Sequence, residues 1–209
     1  MLKVNEIFYS LQGEGADAGL PTIFIRLTGC NLRCKYCDTE YAFYEGEEME
    51  EETIIEKISK WKCKRVCITG GEPLLQDVSK LINLLMKKNY EISIETNGSL
   101  SIEELVNKRV VVKMDMKLPS SQMHNKMKME NIRLLRQTDE LKFIIWDRED
   151  YEYAKNLIEK YKPDCQIIMQ PVWKELPANK LADWILKDEI DARLSIQLHK
   201  ILWGEERGK

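Results

Sequence analysis

Short apolar runs rich in β-branched residues recur along the chain at residues 22–27, 65–68, 92–95, 110–114, 141–145, 167–169 and 194–196. Each is about the length of one strand and reads as β. Between them, residues 52–61, 77–88, 150–161 and 177–187 carry apolar residues at helical spacing and are flanked by Asp, Asn or Pro, so they read as helices. Strands that alternate with helices imply parallel pairing and right-handed crossovers, hence a single α/β domain, doubly wound or curled toward a barrel. No repeat, low-complexity tract or Pro/Gly-rich linker divides residues 1–209.

Composition changes this picture mainly by exclusion. The chain is 44% hydrophobic and 32% charged, which argues against a disordered, fibrous or membrane-embedded protein. No apolar run reaches the ~18 residues that a membrane span needs. Lys and Arg number 32 against 35 Asp and Glu, a net charge of −3, so no general attraction to nucleic acid or to an anionic membrane is expected, a local basic patch aside. The opening Met-Leu-Lys-Val-Asn-Glu-Ile lacks the apolar core of a secretory signal, which points to the cytoplasm. In that reducing compartment, clustered cysteines hold metal or do redox chemistry more often than they form disulfides. Six glutamates crowd residues 45–52, and a solvated helix N-terminus is preferred there to an acidic binding surface.

The chemistry-bearing residues follow the strands. Thr28-Gly29-Cys30, Thr69-Gly70-Gly71-Glu72-Pro73, Thr96-Asn97-Gly98, Asp115-Met116-Lys117, Gln170-Pro171 and Gln197-Leu198-His199 each come at or just after a predicted strand end. The carboxyl ends of parallel strands lie on one face, where α/β folds bind ligands, so one site can gather all six segments.

Cys30, Cys34 and Cys37 form C-x3-C-x2-C. Three soft ligands suit an iron-sulfur cluster or zinc, and the spacing matches neither ferredoxin pattern. A four-iron cubane held by three thiolates keeps one iron open to a small-molecule ligand. A structural zinc site completed by Cys63, Cys67, Cys165 or His124 is the competing reading. Cys67 and Cys165 also suit the role of small buried hydrophobes.

At these residues the chain resembles the radical S-adenosylmethionine (SAM) superfamily, whose cluster motif is C-x3-C-x2-C with an aromatic residue, here Tyr36, before the last cysteine. Gly70-Gly71-Glu72-Pro73 is similar to the superfamily segment that binds the methionyl amino group of SAM, where glycines permit close backbone approach. The segments Glu6-Ile-Phe-Tyr-Ser-Leu-Gln-Gly-Glu-Gly15, Phe24-Ile-Arg-Leu-Thr-Gly-Cys-Asn-Leu32, Cys37-Asp-Thr39, Ile94-Glu-Thr-Asn-Gly98 and Leu194-Ser-Ile-Gln-Leu-His-Lys200 extend the resemblance to the 7-carboxy-7-deazaguanine synthase family over nearly the whole chain.

That resemblance implies an incomplete radical SAM β/α barrel, with residues 1–21 and 195–209 contributing to the substrate pocket of a homodimeric enzyme. It implies a lyase of the 7-deazapurine (queuosine-type) pathway that uses a [4Fe-4S] cluster, SAM and Mg2+. The reaction converts 6-carboxy-5,6,7,8-tetrahydropterin to 7-carboxy-7-deazaguanine with loss of ammonia. A 5′-deoxyadenosyl radical removes hydrogen from C6, SAM is regenerated, and a flavodoxin or ferredoxin supplies the electron.

Carried over position by position, Cys30, Cys34 and Cys37 hold the cluster. Tyr36, Cys37, Asp38, Gly71, Asp115, Met116, Lys117 and Gln170 surround SAM, and Thr39 is the magnesium ligand. Leu11, Gln12, Gly13, Glu14, Arg26, Thr69 and His199 line the substrate pocket. Gln12 and Glu14 would read the donor edge of the pterin, and Arg26 would grip its carboxylate. Without the resemblance, Arg26 reads equally as a surface ion pair, Thr39 as a turn hydroxyl, Gln12 and Glu14 as a polar turn, and His199 as a structural histidine. Asp115-Met-Lys-Leu-Pro-Ser-Ser121 departs from the Ser-Pro-Lys pattern of some members, and the tail after His199 departs from members whose terminus closes the pocket. The competing functions are a glycyl-radical activating protein, which acts on a protein partner, and a non-enzymatic iron-sulfur or zinc module.

Overall fold

Lys3, Asn5, Glu6 and Ser10 break the apolar pattern at the start of the chain, yet Leu2–Leu11 is a ten-residue strand, β1. In the computed structural model, which describes residues 1–209, β1 pairs antiparallel with β2 (Pro21–Leu27), with a register shift between Val4 and Glu6. The hairpin, not hydrophobic periodicity, makes β1 a strand. A three-residue edge strand, β3 (Glu47–Met49), pairs with its other side through Leu2, Lys3 and Val4. The glutamate run therefore divides. Its first half is an edge strand, and only its second half opens α1 (Glu51–Ile58), where Glu51 is buried beneath the Met1 amino group at 2.8 Å and Lys80 Nζ at 3.0 Å.

From β2 onward the sheet is parallel. Strands β4 (Arg65–Gly70), β5 (Glu91–Thr96), β6 (Val110–Met116), β7 (Glu140–Ile145), β8 (Gln166–Pro171) and β9 (Arg193–Leu194) add in sequence order, giving β3-β1-β2-β4-β5-β6-β7-β8-β9. The expected strands lie within one or two residues of those observed except the last, which ends at Leu194. The expected helices correspond to α1, α2 (Ser79–Lys87), α4 (Arg148–Tyr161) and α5 (Ala178–Lys187). Two further helices, α3 (Glu103–Val106) and α6 (Leu198–Trp203), are too short to show a helical period. No helix is long and apolar enough to cross a membrane.

Each parallel strand has two chemically different faces. Val66 and Ile68, Ile92 and Ile94, Val112, Met114 and Met116, Leu141, Phe143 and Ile145, and Ile167 and Met169 join one core of 39 buried residues. There they meet Ile54, Ile55 and Ile58 of α1, Leu81, Ile82 and Leu85 of α2, Tyr151, Ala154 and Leu157 of α4, and Leu181 and Ile185 of α5. The alternate residues Thr69, Glu95, Lys113, Asp115, Lys142 and Gln170 are the other face. Strands spaced about 4.8 Å apart cannot share one cavity if the sheet is flat. Residues of β1, β2, β4, β5, β6, β7 and β8 do line one, so the sheet curls, while its edges β3 and β9 remain unjoined. This is the incomplete barrel.

Candidate active site

The cavity has a volume of about 540 Å3 and opens at the carboxyl ends of the parallel strands. At one pole lies the loop after β2 that carries the cysteines. Leu32 is buried and anchors the loop, the Cys37 amide donates to the Cys34 carbonyl at 3.2 Å, and all three thiols are half-buried. Burial raises the pKa of Cys34 and Cys37.

The turn after β4 is fitted against this loop. A Cβ on Gly71 would overlap the Gly29 carbonyl oxygen and sit 2.6 Å from Cys30 Cβ, so the glycine requirement at 71 is exerted by the cysteine loop itself. Glu72 is a structural residue. Its carboxylate is fully buried, which pushes its pKa up, and it accepts from the Leu74 amide at 2.9 Å, the Thr96 hydroxyl at 2.9 Å and the Asn97 amide at 2.6 Å. With the Glu72 amide donating to the Gly29 carbonyl at 2.8 Å, one residue ties the loops after β2, β4 and β5 together. Asn97 Nδ2 in turn lies 3.9 Å from Cys30 Sγ.

At the other pole, buried Gln12 donates to Glu95 Oε1 at 3.1 Å and the Thr69 hydroxyl donates to Glu95 Oε2 at 3.0 Å. Arg26 uses Nε on Glu6 at 2.7 Å and stacks between the rings of Phe8 and Tyr41, and neither of its terminal nitrogens has a hydrogen-bond partner. The reading of Arg26 as a surface ion pair is half right: the pair exists, but on the cavity wall. Glu14 Oε2 lies 2.6 Å from Lys142 Nζ, and Gln197 donates to its other oxygen at 2.8 Å. Burial alone would raise the Glu14 carboxyl, but the Lys142 ammonium outweighs it and holds the group at about 2. Lys142 also contacts Asp115 at 3.0 Å, and Asp115 contacts Lys117 at 3.3 Å.

The C-terminal segment closes this wall. The Leu198 amide donates to the Gly13 carbonyl at 2.9 Å, and a Cβ on Gly13 would overlap the His199 imidazole, 2.8 Å from its Cγ. Burial lowers the His199 pKa, so the ring is neutral at pH 7. Lys200 pairs with Asp38 at 2.8 Å, and Asp38 accepts from the Thr39 hydroxyl at 2.9 Å. Arg207 stacks 4.0 Å from the Tyr41 ring centroid and pairs with Glu6 and Glu45. The tail is therefore part of the cavity wall, with Glu205 and Lys209 in its lining.

Residues 24–142 match the radical SAM superfamily. The chain is 37% identical to the 7-carboxy-7-deazaguanine synthase of Thermoplasma acidophilum over 98% of this chain and 99% of that protein. It is 39% identical to that of Methanospirillum hungatei over 96% and 85%. The chain belongs to the 7-carboxy-7-deazaguanine synthase family of radical SAM proteins. The crystal structure of QueE from Escherichia coli is similar, with a TM-score of 0.77 and 25% identity over 95% of this chain and 94% of that one.

The residues fit the cofactors of a radical SAM protein. Cys30, Cys34 and Cys37 all line the cavity from one loop, three soft thiol ligands of the kind an iron-sulfur cluster takes. None of the residues considered to complete a zinc site joins them. Cys67 is buried in β4, Cys63 contacts the Pro21 carbonyl at 3.2 Å, Cys165 immediately precedes β8, and His124 packs edge-on against Tyr153. Gln170 Oε1 is buried with no hydrogen-bond partner, an acceptor aimed into the cavity that suits an N–H of a bound nucleoside.

Of the residues singled out from sequence, Leu11, Gln12, Gly13, Glu14, Arg26, Cys30, Cys34, Tyr36, Cys37, Asp38, Thr39, Thr69, Gly71, Asp115, Lys117, Gln170 and His199 all line this one cavity. Met116 does not. It follows Asp115 on β6, so its side chain takes the opposite face and is buried in the core. Glu14 also departs from expectation, because its carboxylate is already engaged by Lys142 and Gln197. The residues missed are Glu95, Lys142, Gln197 and Lys200. Lys142 carried a legible signal: a lone cation inside the apolar run Leu141-Lys-Phe-Ile-Ile145 must meet a buried anion.

Proposed function

We propose that this chain is a 7-carboxy-7-deazaguanine synthase, converting 6-carboxy-5,6,7,8-tetrahydropterin to 7-carboxy-7-deazaguanine with loss of ammonia. The observation that carries the reading is the shared cavity, which has the cysteine loop and the Gly71 turn at one pole and Gln12, Glu95, Thr69 and the free edge of Arg26 at the other. When bound, the reduced [4Fe-4S] cluster and SAM supply the one-electron chemistry that begins hydrogen removal from the substrate.

The protein's own part is placement. Cys30, Cys34 and Cys37 hold the cluster, and Tyr36, Asp38, Gly71, Asp115, Lys117 and Gln170 enclose SAM. Glu95 is positioned by Gln12 and Thr69 to accept the adjacent N–H groups of a pterin edge. The terminal nitrogens of Arg26 take the substrate carboxylate, beside neutral His199. Thr39, half-buried next to Asp38, offers a hard oxygen to Mg2+ together with substrate oxygens and water. Residues 1–21 and 195–209 complete the pocket through Gly13, Glu14, Gln197 and His199. The enzyme acts in the cytoplasm as a homodimer that receives electrons from a small carrier. Leu194 on edge strand β9, Ile196 just after it, and Ile201 and Leu202 on α6 are exposed apolar side chains suited to contact with a second copy.

The test is anaerobic turnover. Reconstituted protein given SAM, Mg2+, dithionite and the pterin should release 7-carboxy-7-deazaguanine and ammonia in equal amounts. SAM cleavage without product from the pterin would overturn the assignment.

A further inference from the structure

Lys142 is a buried cation on the cavity wall. It lies opposite Asp115 in the register of β6 with β7, and its aliphatic stem is packed, so the ammonium is held in one place. That ammonium carries three hydrogens. Nζ donates to Glu14 Oε2 at 2.6 Å and lies 3.0 Å from Asp115 Oδ1, and no third acceptor in the protein meets it. A buried charged donor without an acceptor is costly, and here the missing partner can come only from a ligand in the cavity.

Glu95 indicates which ligand atom that partner is. A carboxylate has about four lone-pair sites, and Gln12 takes one on Oε1 at 3.1 Å while Thr69 takes one on Oε2 at 3.0 Å. One site on each oxygen remains, which matches two adjacent N–H groups, the 2-amino group and N3–H of a pterin. The next atom along that edge is the C4 oxygen, an acceptor, which needs a donor beside Glu95. Lys142 stands at this pole. Burial alone would lower its pKa, but the charges of Asp115, Glu14 and Glu95 outweigh it. Lys117, the other cation on Asp115, belongs to the cysteine pole. Burial opposes its charge too, and besides Asp115 the groups that outweigh burial there are Cys34 and Tyr36. Lys200 is engaged with Asp38 of the cysteine loop at 2.8 Å.

Resting on the functional reading above, we propose that Lys142 determines specificity for the 4-oxo group of the pterin ring, its third N–H donating to the C4 oxygen while Glu95 accepts from the 2-amino group and N3–H. A 4-oxo pteridine satisfies both side chains. A 4-amino pteridine turns a donor toward the ammonium and leaves a buried charge short of an acceptor, the mismatch by which a site built for hydrogen bonds rejects an analogue. Glu14 and Asp115 act through Lys142, since they hold the ammonium charged and fixed in position.

The experiment measures binding by calorimetry to reconstituted holoenzyme with SAM at pH 7. The two probes, 6-carboxypterin and 2,4-diaminopteridine-6-carboxylate, differ only at position 4 and carry no hydrogen at C6 to lose. Wild type should bind the 4-oxo probe about thirtyfold more tightly than the 4-amino probe. Lys142→Met should cut that preference to about threefold or less, with the loss falling on the 4-oxo probe. Its affinity for SAM should stay within about threefold of wild type, because Lys117 still pairs Asp115. Lys142→Met/Glu14→Gln, which leaves no carboxylate buried without its cation at this position, carries the same test in a more stable protein and should show the same loss of preference. A purely structural Lys142 would weaken both probes equally. An unchanged preference in the two variants would therefore overturn the proposal, as would a wild type that binds the 4-amino probe as tightly as the 4-oxo one. If wild type binds neither probe, the functional reading fails instead.

Discussion

Replacing Lys142 with methionine tests the polar interior of the barrel most directly. The substitution keeps the side-chain volume and removes an ammonium that lies 2.6 Å from Glu14 and 3.0 Å from Asp115. Lys142 and Glu14 side chains are only 8% and 17% exposed, so water screens the pair poorly. A Glu14 carboxyl held at about 2 instead of its ordinary 4.5 corresponds to about 3 kcal/mol, which agrees with the ~3–5 kcal/mol typical of breaking a buried pair. Asp115 keeps Lys117 and adds little to this figure.

Lys142→Met should therefore lose about 3 kcal/mol of stability at pH 7, or roughly 6–12 °C in Tm for a chain of 209 residues. Because the folded-state pKa of Glu14 lies below its unfolded value, this stabilisation is fully present above pH 4.5 and is lost as pH falls toward 2. The gap between wild type and variant should narrow over that window. Guanidinium unfolding at pH 7 and pH 3 measures both effects. Adding Glu14→Gln to the variant should recover part of the loss at pH 7, since no unpaired carboxylate is left buried. A loss below about 1 kcal/mol at pH 7, or a gap that does not narrow in acid, would refute the reasoning.

Arg26→Ala should lower kcat/KM for the pterin by about 2 to 5 kcal/mol in transition-state terms while SAM affinity survives, and Arg207 remains to pair Glu6; calorimetry with SAM and steady-state kinetics separate the two. Gly13→Ala should push the His199 ring off the backbone and raise KM with little change in the cluster spectrum, and an unchanged KM would remove His199 from the pocket. Thr39→Ala should weaken the magnesium dependence of turnover, and an unaltered magnesium titration would exclude the hydroxyl as a ligand.

Much of the fold was legible because parallel strands buried against helices advertise themselves as apolar runs, and each of the seven runs begins within one residue of the start of a strand. The strand β1 was hidden, since it owes its structure to pairing with β2, and α3 and α6 were hidden by their shortness. The cysteine spacing and Gly-Gly-Glu-Pro were readable as local patterns, because one loop supplies all three thiolates. The order along the sequence also placed the chemistry after the strands, on one face. Only the tertiary structure decided which neighbour of a pair enters the cavity. Asp115 lines it while Met116 joins the core, since adjacent residues on a strand face opposite ways and a one-residue shift exchanges them. It also decided which charges are spent on one another. Lys142 with Glu14, Glu6 with Arg26 and Lys200 with Asp38 are separated by 128, 20 and 162 positions, and a pattern local to the chain contains no distances between its strands.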